Sequence, residues 1–130
     1  MAEAVRTQAG RVGQVVYARM APNEDLVQGL EKICIAQGLR HALVRSGLGS
    51  LVDACLQLPG GQPLAVAGPA VEVLGLYGEV CAQADGSMRA DLAGLVVDAA
   101  GRVLSGAFVA GANPVFATFE VTLEEWLPAA

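Results

Sequence analysis

The residues of this chain that can do chemistry are few and are not spaced to act together. His41 is the sole histidine, whereas a zinc centre takes three or four histidine, cysteine or carboxylate ligands at about 2.0–2.3 Å. Cys34, Cys55 and Cys81 are widely separated and form no CxxC pair. They read as small buried thiols of a reducing compartment, not as a disulfide framework or a metal knuckle. Ser46 and Ser50 have no base nearby, so a hydrolase triad is not supported. Gly47-Leu48-Gly49 lacks the third glycine, the lysine and the following helix of a phosphate loop. His41, directly after Arg40, reads as a structural histidine at the start of a strand. No catalytic residue, no metal site and no cofactor is expected from these residues.

The elements that would position any site centre on Met88–Gly111. Asp91–Asp98 is apolar between its two end aspartates, as a strand buried on both faces would be. Asp98-Ala-Ala-Gly101 signals a turn, and Arg102–Ala110 is a second apolar run. Small residues are frequent in this hairpin: Ala90, Ala93, Gly94, Ser105, Gly106, Ala107 and Gly111. Glycine in a strand marks a bulge or a place where another backbone or a ligand comes close.

Residues 1–9 read as a flexible lead-in to one domain over residues 10–127. Arg11–Met20 has the pattern of a strand. Ala21-Pro22-Asn23 stops it, with Asn23 as N-cap and Glu24 and Asp25 in the first turn of a helix over about residues 23–37. Leu26, Leu30, Ile33 and Cys34 share one helical face, and Gly38 ends the helix. A strand from Arg40 is broken at Gly47-Leu48-Gly49, Pro59-Gly60-Gly61 turns, and Pro63–Pro69 is short and irregular. Ala70–Gln83 is a strand kinked at Gly75 and Gly78, and Asp85-Gly86 turns it into the hairpin. Val115–Leu123 is the last strand, followed by a tail in which Trp126 seals the sheet's edge. About seven strands and one main helix give an α+β domain with a mostly antiparallel sheet or sandwich.

The 130 residues suit one domain. They are 54% hydrophobic, with a mean hydropathy of +0.49. Glycine and charged residues nevertheless interrupt every apolar run well short of the ~20 residues of a membrane span. The apolar excess points to a subunit interface. Met1–Arg6 has no basic stretch followed by an apolar one, so a cytoplasmic location and no membrane association are expected. Net charge is −5, and Lys32 is the only lysine. Phosphate contacts dominate nucleic-acid affinity, so an acidic chain without a basic cluster is a poor direct binder of DNA.

Gly101-Arg102-Val103-Leu104-Ser105-Gly106-Ala107-Phe108 resembles the second half of the signature hairpin of the plants-and-prokaryotes conserved (PPC) domain family. Further pieces are similar in order and spacing: Pro22-Asn23-Glu24-Asp25-Leu26, Ser46-Gly47-Leu48-Gly49-Ser50-Leu51, Leu56-Gln57-Leu58-Pro59-Gly60, and Gly68-Pro69 through Glu72 to Gly78. The resemblance covers about Arg11 to Leu123. It implies an α+β homotrimer with a pocket near the subunit boundaries. It also brings the family's DNA-binding label, although the Arg-Gly-Arg-Pro core of the AT-hook, which carries the DNA contact in plant members, is absent here. Some prokaryotic members hold a metal on a histidine trio. The matching positions in this chain are Asp91, Ala93 and Ala107, so the histidine metal site is degenerate.

The resemblance therefore implies a homotrimeric binding or interaction module, with itself and a small molecule or protein as partners. Its pocket would be lined by Arg89, Asp91, Ala93, Ser105 and Ala107, with Glu72 nearby. Asp91 is read either as the partner of an arginine (Arg89, Arg45 or Arg102) or as a ligand contact. Glu72 is read either as a pocket acid or base whose pKa burial raises, or as a hydrogen-bonded strand glutamate. The alternative function is a metal-free small-molecule binder or enzyme that uses Asp91 and Glu72 at the subunit boundary.

Overall fold

Two-residue alternation organises the chain, because successive side chains of a strand point to opposite faces. In the computed structural model, which describes residues 4–130, Val16 and Met20 of β1 (Gly10–Met20) turn inward while Val15, Tyr17 and Arg19 turn out. The helix α1 (Leu26–Gln37) follows. Seven further strands succeed it: β2 (His41–Leu51), β3 (Ala54–Gln57), β4 (Pro63–Val66), β5 (Val71–Ala82), β6 (Met88–Val97), β7 (Val103–Phe108) and β8 (Val115–Pro128). They form one sheet in the order β1-β8-β2-β5-β6-β7-β3-β4, antiparallel at every pairing. The α+β class with a mostly antiparallel sheet is as expected, with eight strands in place of about seven. Residues 1–3 of the expected lead-in lie outside the described residues, and no helix among the described residues is long and apolar enough to cross a membrane.

The core lies between α1 and the inward side chains of the sheet. Leu26, Val27, Leu30 and Cys34 are buried on the helix, against a set that includes Val80, Leu92, Phe119, Val121 and Leu123. The helix is tied to the sheet where Glu31 Oε2 accepts the Ala90 amide at 2.9 Å.

Several boundaries differ from the sequence expectation. The helix starts three residues later than Asn23. Asp25 is the cap, its Oδ2 accepting the Gln28 amide at 2.9 Å. Asn23 instead adopts φ 71° and donates its amide to the Val115 carbonyl at 2.7 Å, which holds it in the preceding turn. Gly38 ends the helix in the left-handed conformation, as expected. Strand β2 runs through Gly47-Leu48-Gly49, because bulges beside Arg45 and Ser50 absorb the irregularity. Strand β8 continues to Pro128, so the expected tail is paired with β1. Trp126 therefore lies within a central strand. Its ring covers Gly10 on the edge strand β1, and its Nε1 donates to Gln8 Oε1 at 3.2 Å.

Among the described residues one polar side chain is fully buried: Asn113, before β8. Its Nδ2 donates to the Val109 carbonyl at 2.8 Å and to the Cys55 carbonyl at 3.2 Å. Its Oδ1 accepts the Cys55 amide at 2.8 Å, and its own amide donates to Asp25 Oδ1 at 3.0 Å. Asn113→Ala takes the acceptor from the Cys55 amide, while the Cys55 and Val109 carbonyls keep the Val109 and Ala112 amides, and one stranded group costs about 1–3 kcal/mol. We expect this variant to lose about 1–3 kcal/mol of stability in urea unfolding, where a surface substitution would change it by less than about 0.5 kcal/mol.

Candidate functional site

The outward face of β2, β5, β6 and β7 brings the sequence candidates into rows. Cross-strand pairing places Glu79 opposite Asp91 and Tyr77 opposite Ala93, and Ala93 opposite Ala107. Strand β6 is buried on one face only: Ala90, Leu92, Gly94 and Val96 point in, while Arg89, Asp91 and Ala93 are exposed. This corrects the expectation of a strand buried on both faces. Its apolar run is continuous because the outward positions Ala93, Leu95 and Val97 are apolar too.

Asp91, Ala93 and Ala107 share a hollow of about 310 Å³ with Tyr77, Gly78 and Phe108. A second hollow of about 450 Å³ adjoins it through Ala93 and Ala107, and reaches past Gly106 to the Gln57–Gly60 turn. Arg89 reaches Asp91 along the same strand, Nε to Oδ1 3.1 Å. Both side chains are about two-thirds exposed (67% and 64%), so solvent screens the pair. The other two arginines considered for Asp91 are engaged elsewhere, Arg45 with Glu124 at 2.8 Å and Arg102 with Asp98 at 2.8 Å. Ser105 lies opposite Leu95 and is not among the residues lining the hollow.

The sheet does not bring Glu72 to Asp91 within one chain. Glu72 pairs with Val97, six residues along β6 from Asp91, which is roughly 20 Å at about 3.3 Å per residue. It is exposed, and the apolar run around it exists because Val71 and Val73 face inward.

Glycine supplies the close approach that shapes the hollow. A Cβ on Gly78 would collide with the backbone of Asp91, and φ there is 140°. The β6–β7 turn is held by Asp98, whose Oδ1 accepts the amides of Ala100 and Arg102 at 3.0 and 2.9 Å. The Arg102 amide, with its guanidinium assisting, holds the Asp98 carboxyl below its ordinary value.

Metal ligation at the matched positions does not fit these side chains. Asp91 offers a carboxylate, but Ala93 and Ala107 offer only methyl groups. A different set of donors converges one row away. His41 stands opposite Cys81 on the adjacent strand, and the donor atoms of His41, Glu79 and Cys81 lie within 4.8 Å of one another. Sequence reading separated them, because nothing local indicates that β2 and β5 are neighbours. Cys34, by contrast, is sealed on the helix. Burial pushes its thiol up to about 11, with Cys81 and Glu31 adding to the effect.

The Plants and Prokaryotes Conserved (PCC) domain family matches residues 7–127, which is the family the hairpin resembles. Three solved structures share the fold. A plant- and prokaryote-conserved protein from Pyrococcus horikoshii is 21% identical, with TM-score 0.78, covering 94% of this chain and 85% of its own. A hypothetical protein from Salmonella enterica is 23% identical, with TM-score 0.79, covering 93% and 83%. A metal-containing protein from Archaeoglobus fulgidus is 21% identical, with TM-score 0.77, covering 97% and 89%. No curated protein matches the sequence.

A carboxyl held low in the folded chain stabilises above its unfolded pKa, and that contribution is lost as pH falls through the folded value. For Asp98 this window lies below about pH 3.9, the ordinary aspartate value. Carboxyl-detected NMR titration is expected to show Asp98 titrating below that value, and Asp98→Asn to broaden the β6–β7 turn amides at neutral pH.

Proposed function

We propose a function from one premise: this chain belongs to the Plants and Prokaryotes Conserved (PCC) domain family. It acts as a homotrimeric binding module. Its outward sheet face is covered by other copies, and the hollow beside Asp91 opens at the boundary between them. The observation that carries this reading is the exposed apolar surface. Tyr17, Leu48, Leu74 and Tyr77 are each at least 58% exposed, and all project from the face opposite the core. Clustered exposed apolar side chains mark interaction surfaces, and copies of the same chain are the partners the family resemblance implies.

The module works without metal at positions 91, 93 and 107 and without an AT-hook. The metal-containing relative from Archaeoglobus fulgidus marks the contrast, since two of the three matched positions here have no donor atom. Net charge of −5 and a single lysine weigh against direct contact with DNA, because backbone neutralisation supplies most of that affinity. Any association with DNA would pass through a partner protein.

The hollow itself favours a second reading: a metal-free small-molecule site, with Asp91 as its polar anchor among apolar walls. Such a mixture of apolar lining and few polar groups is usual for ligand sites. Glu72 would join it only from a neighbouring copy.

Native mass spectrometry of untreated protein is expected to give three copies, and a monomer would overturn the assembly. Leu48→Glu together with Tyr77→Glu is expected to leave a folded monomer at concentrations where the parent chain stays assembled. A bound organic mass that disappears in Asp91→Ala would select the small-molecule reading. In a low-salt gel shift, duplex DNA is expected to migrate unretarded by the purified chain.

A further inference from the structure

The two central strands β2 and β5 carry a second, unassigned constellation. His41 and Cys81 are direct cross-strand partners, and Glu79 precedes Cys81 by two residues on the same face. Side chains so placed have their Cβ atoms about 4.5–5.5 Å apart. His41 Nε2 lies 3.0 Å from Glu79 Oε2, and the Cys81 sulfur completes a triangle whose donor atoms all fall within 4.8 Å. Glu79 and Cys81 are paired on both sides, to β2 and to β6, and His41, the first residue of β2, is paired to β5. Sites built on such elements are held more tightly than sites on loops.

One imidazole, one carboxylate and one thiol are the donor types that zinc takes in four-coordinate sites. Bonds of about 2.0–2.3 Å in a tetrahedron set the donors about 3.3–3.8 Å apart, and the donors of this trio lie within 4.8 Å of one another. Calcium and magnesium select oxygen-only sets, whereas sulfur and imidazole nitrogen suit zinc. The surrounding charge is complementary to a cation. Glu79 places a carboxylate beside the Cys81 sulfur, and the thiol proton leaves to solvent as the sulfur–metal bond forms. Asp91, opposite Glu79 on β6, flanks the site on its open side.

We propose that His41, Glu79 and Cys81 bind one zinc ion, at a place distinct from positions 91, 93 and 107 and with its fourth coordination position open. The proposal goes beyond the trimeric-module reading and does not require it, since all three donors come from one chain.

Cobalt(II) tests it, because a thiolate bonded to cobalt gives a charge-transfer band in the near ultraviolet. Reduced, metal-stripped full-length chain is expected to develop that band with a plateau at one equivalent per chain, and added zinc is expected to abolish it. Cys81→Ser should remove the band while leaving the circular dichroism spectrum unchanged, and Cys55→Ser should keep it. His41→Ala and Glu79→Gln, measured by zinc competition, should each weaken affinity by at least about tenfold, as loss of even supporting groups at metal sites does. Absence of the band at stoichiometric cobalt, its persistence in Cys81→Ser, or unchanged zinc affinity in both other variants would overturn the site. Subunit number, read on the same metal-free samples, reports on the trimer separately.

Discussion

The fold depends on one buried amide. Asn113 is the single polar side chain among the described residues withdrawn completely from solvent, and its hydrogen bonds join segments far apart in sequence: β3 through Cys55, the end of β7 through Val109, and the helix cap through Asp25. Asp25 bonds in two directions, to the first turn of α1 through one oxygen and to Asn113 through the other. The entry to β8 is held in the same way, since the Asn113 carbonyl accepts the Leu26 amide at 3.0 Å and the Pro114 carbonyl accepts the Val52 amide at 2.8 Å. Buried polar groups of this kind are stable only when every donor and acceptor is matched. The cluster therefore specifies a single way for the helix, β3 and β8 to meet.

With the helix covering the inner face, the outer face of the sheet is left to solvent or to partners. Its chemistry varies by row. Around Tyr77, Ala93 and Ala107 the side chains are small or apolar and the surface is hollowed. One row further, Glu79 and Asp91 make it acidic, and His41 and Cys81 add nitrogen and sulfur. Packing explains why so many glycines belong here: at Gly78 the facing backbone of β6 occupies the space a side chain would need. A larger residue would force β5 and β6 apart and would reshape the rows on which both candidate sites stand.

The histidine-bearing pattern that the hairpin resembles puts its donors at the positions that hold Asp91, Ala93 and Ala107 in this chain. Alanine at positions 93 and 107 removes donor atoms and leaves volume. Donor atoms reappear on β2 and β5, where the partner of each strand is fixed by the core beneath it: Ala42 and Val80, both fully buried, pair with each other between the outward residues.

The sequence alone determined the local grammar. Apolar, β-branched runs marked β1 and β5. Asp98-Ala-Ala-Gly101 and Asp85-Gly86 marked two hairpin turns, and Gly38 marked the helix end. Each rests on backbone preferences that act over a few residues, so each is legible without knowing the rest of the chain. The same short range explains the misreadings. Asn23 and Asp25 are both good caps locally, and the bonds from Asn23 to Val115 and from Asn113 to Asp25 decide between them. The run around Asp91 looks buried on both sides because alternation disappears when the outward residues are also apolar. Tertiary structure alone decided which strands distant in the chain are neighbours. That choice sets His41 against Cys81, forty positions away in the chain. Pairing between such distant strands is selected by burial of the whole inner face at once, and no stretch of sequence read by itself contains that information.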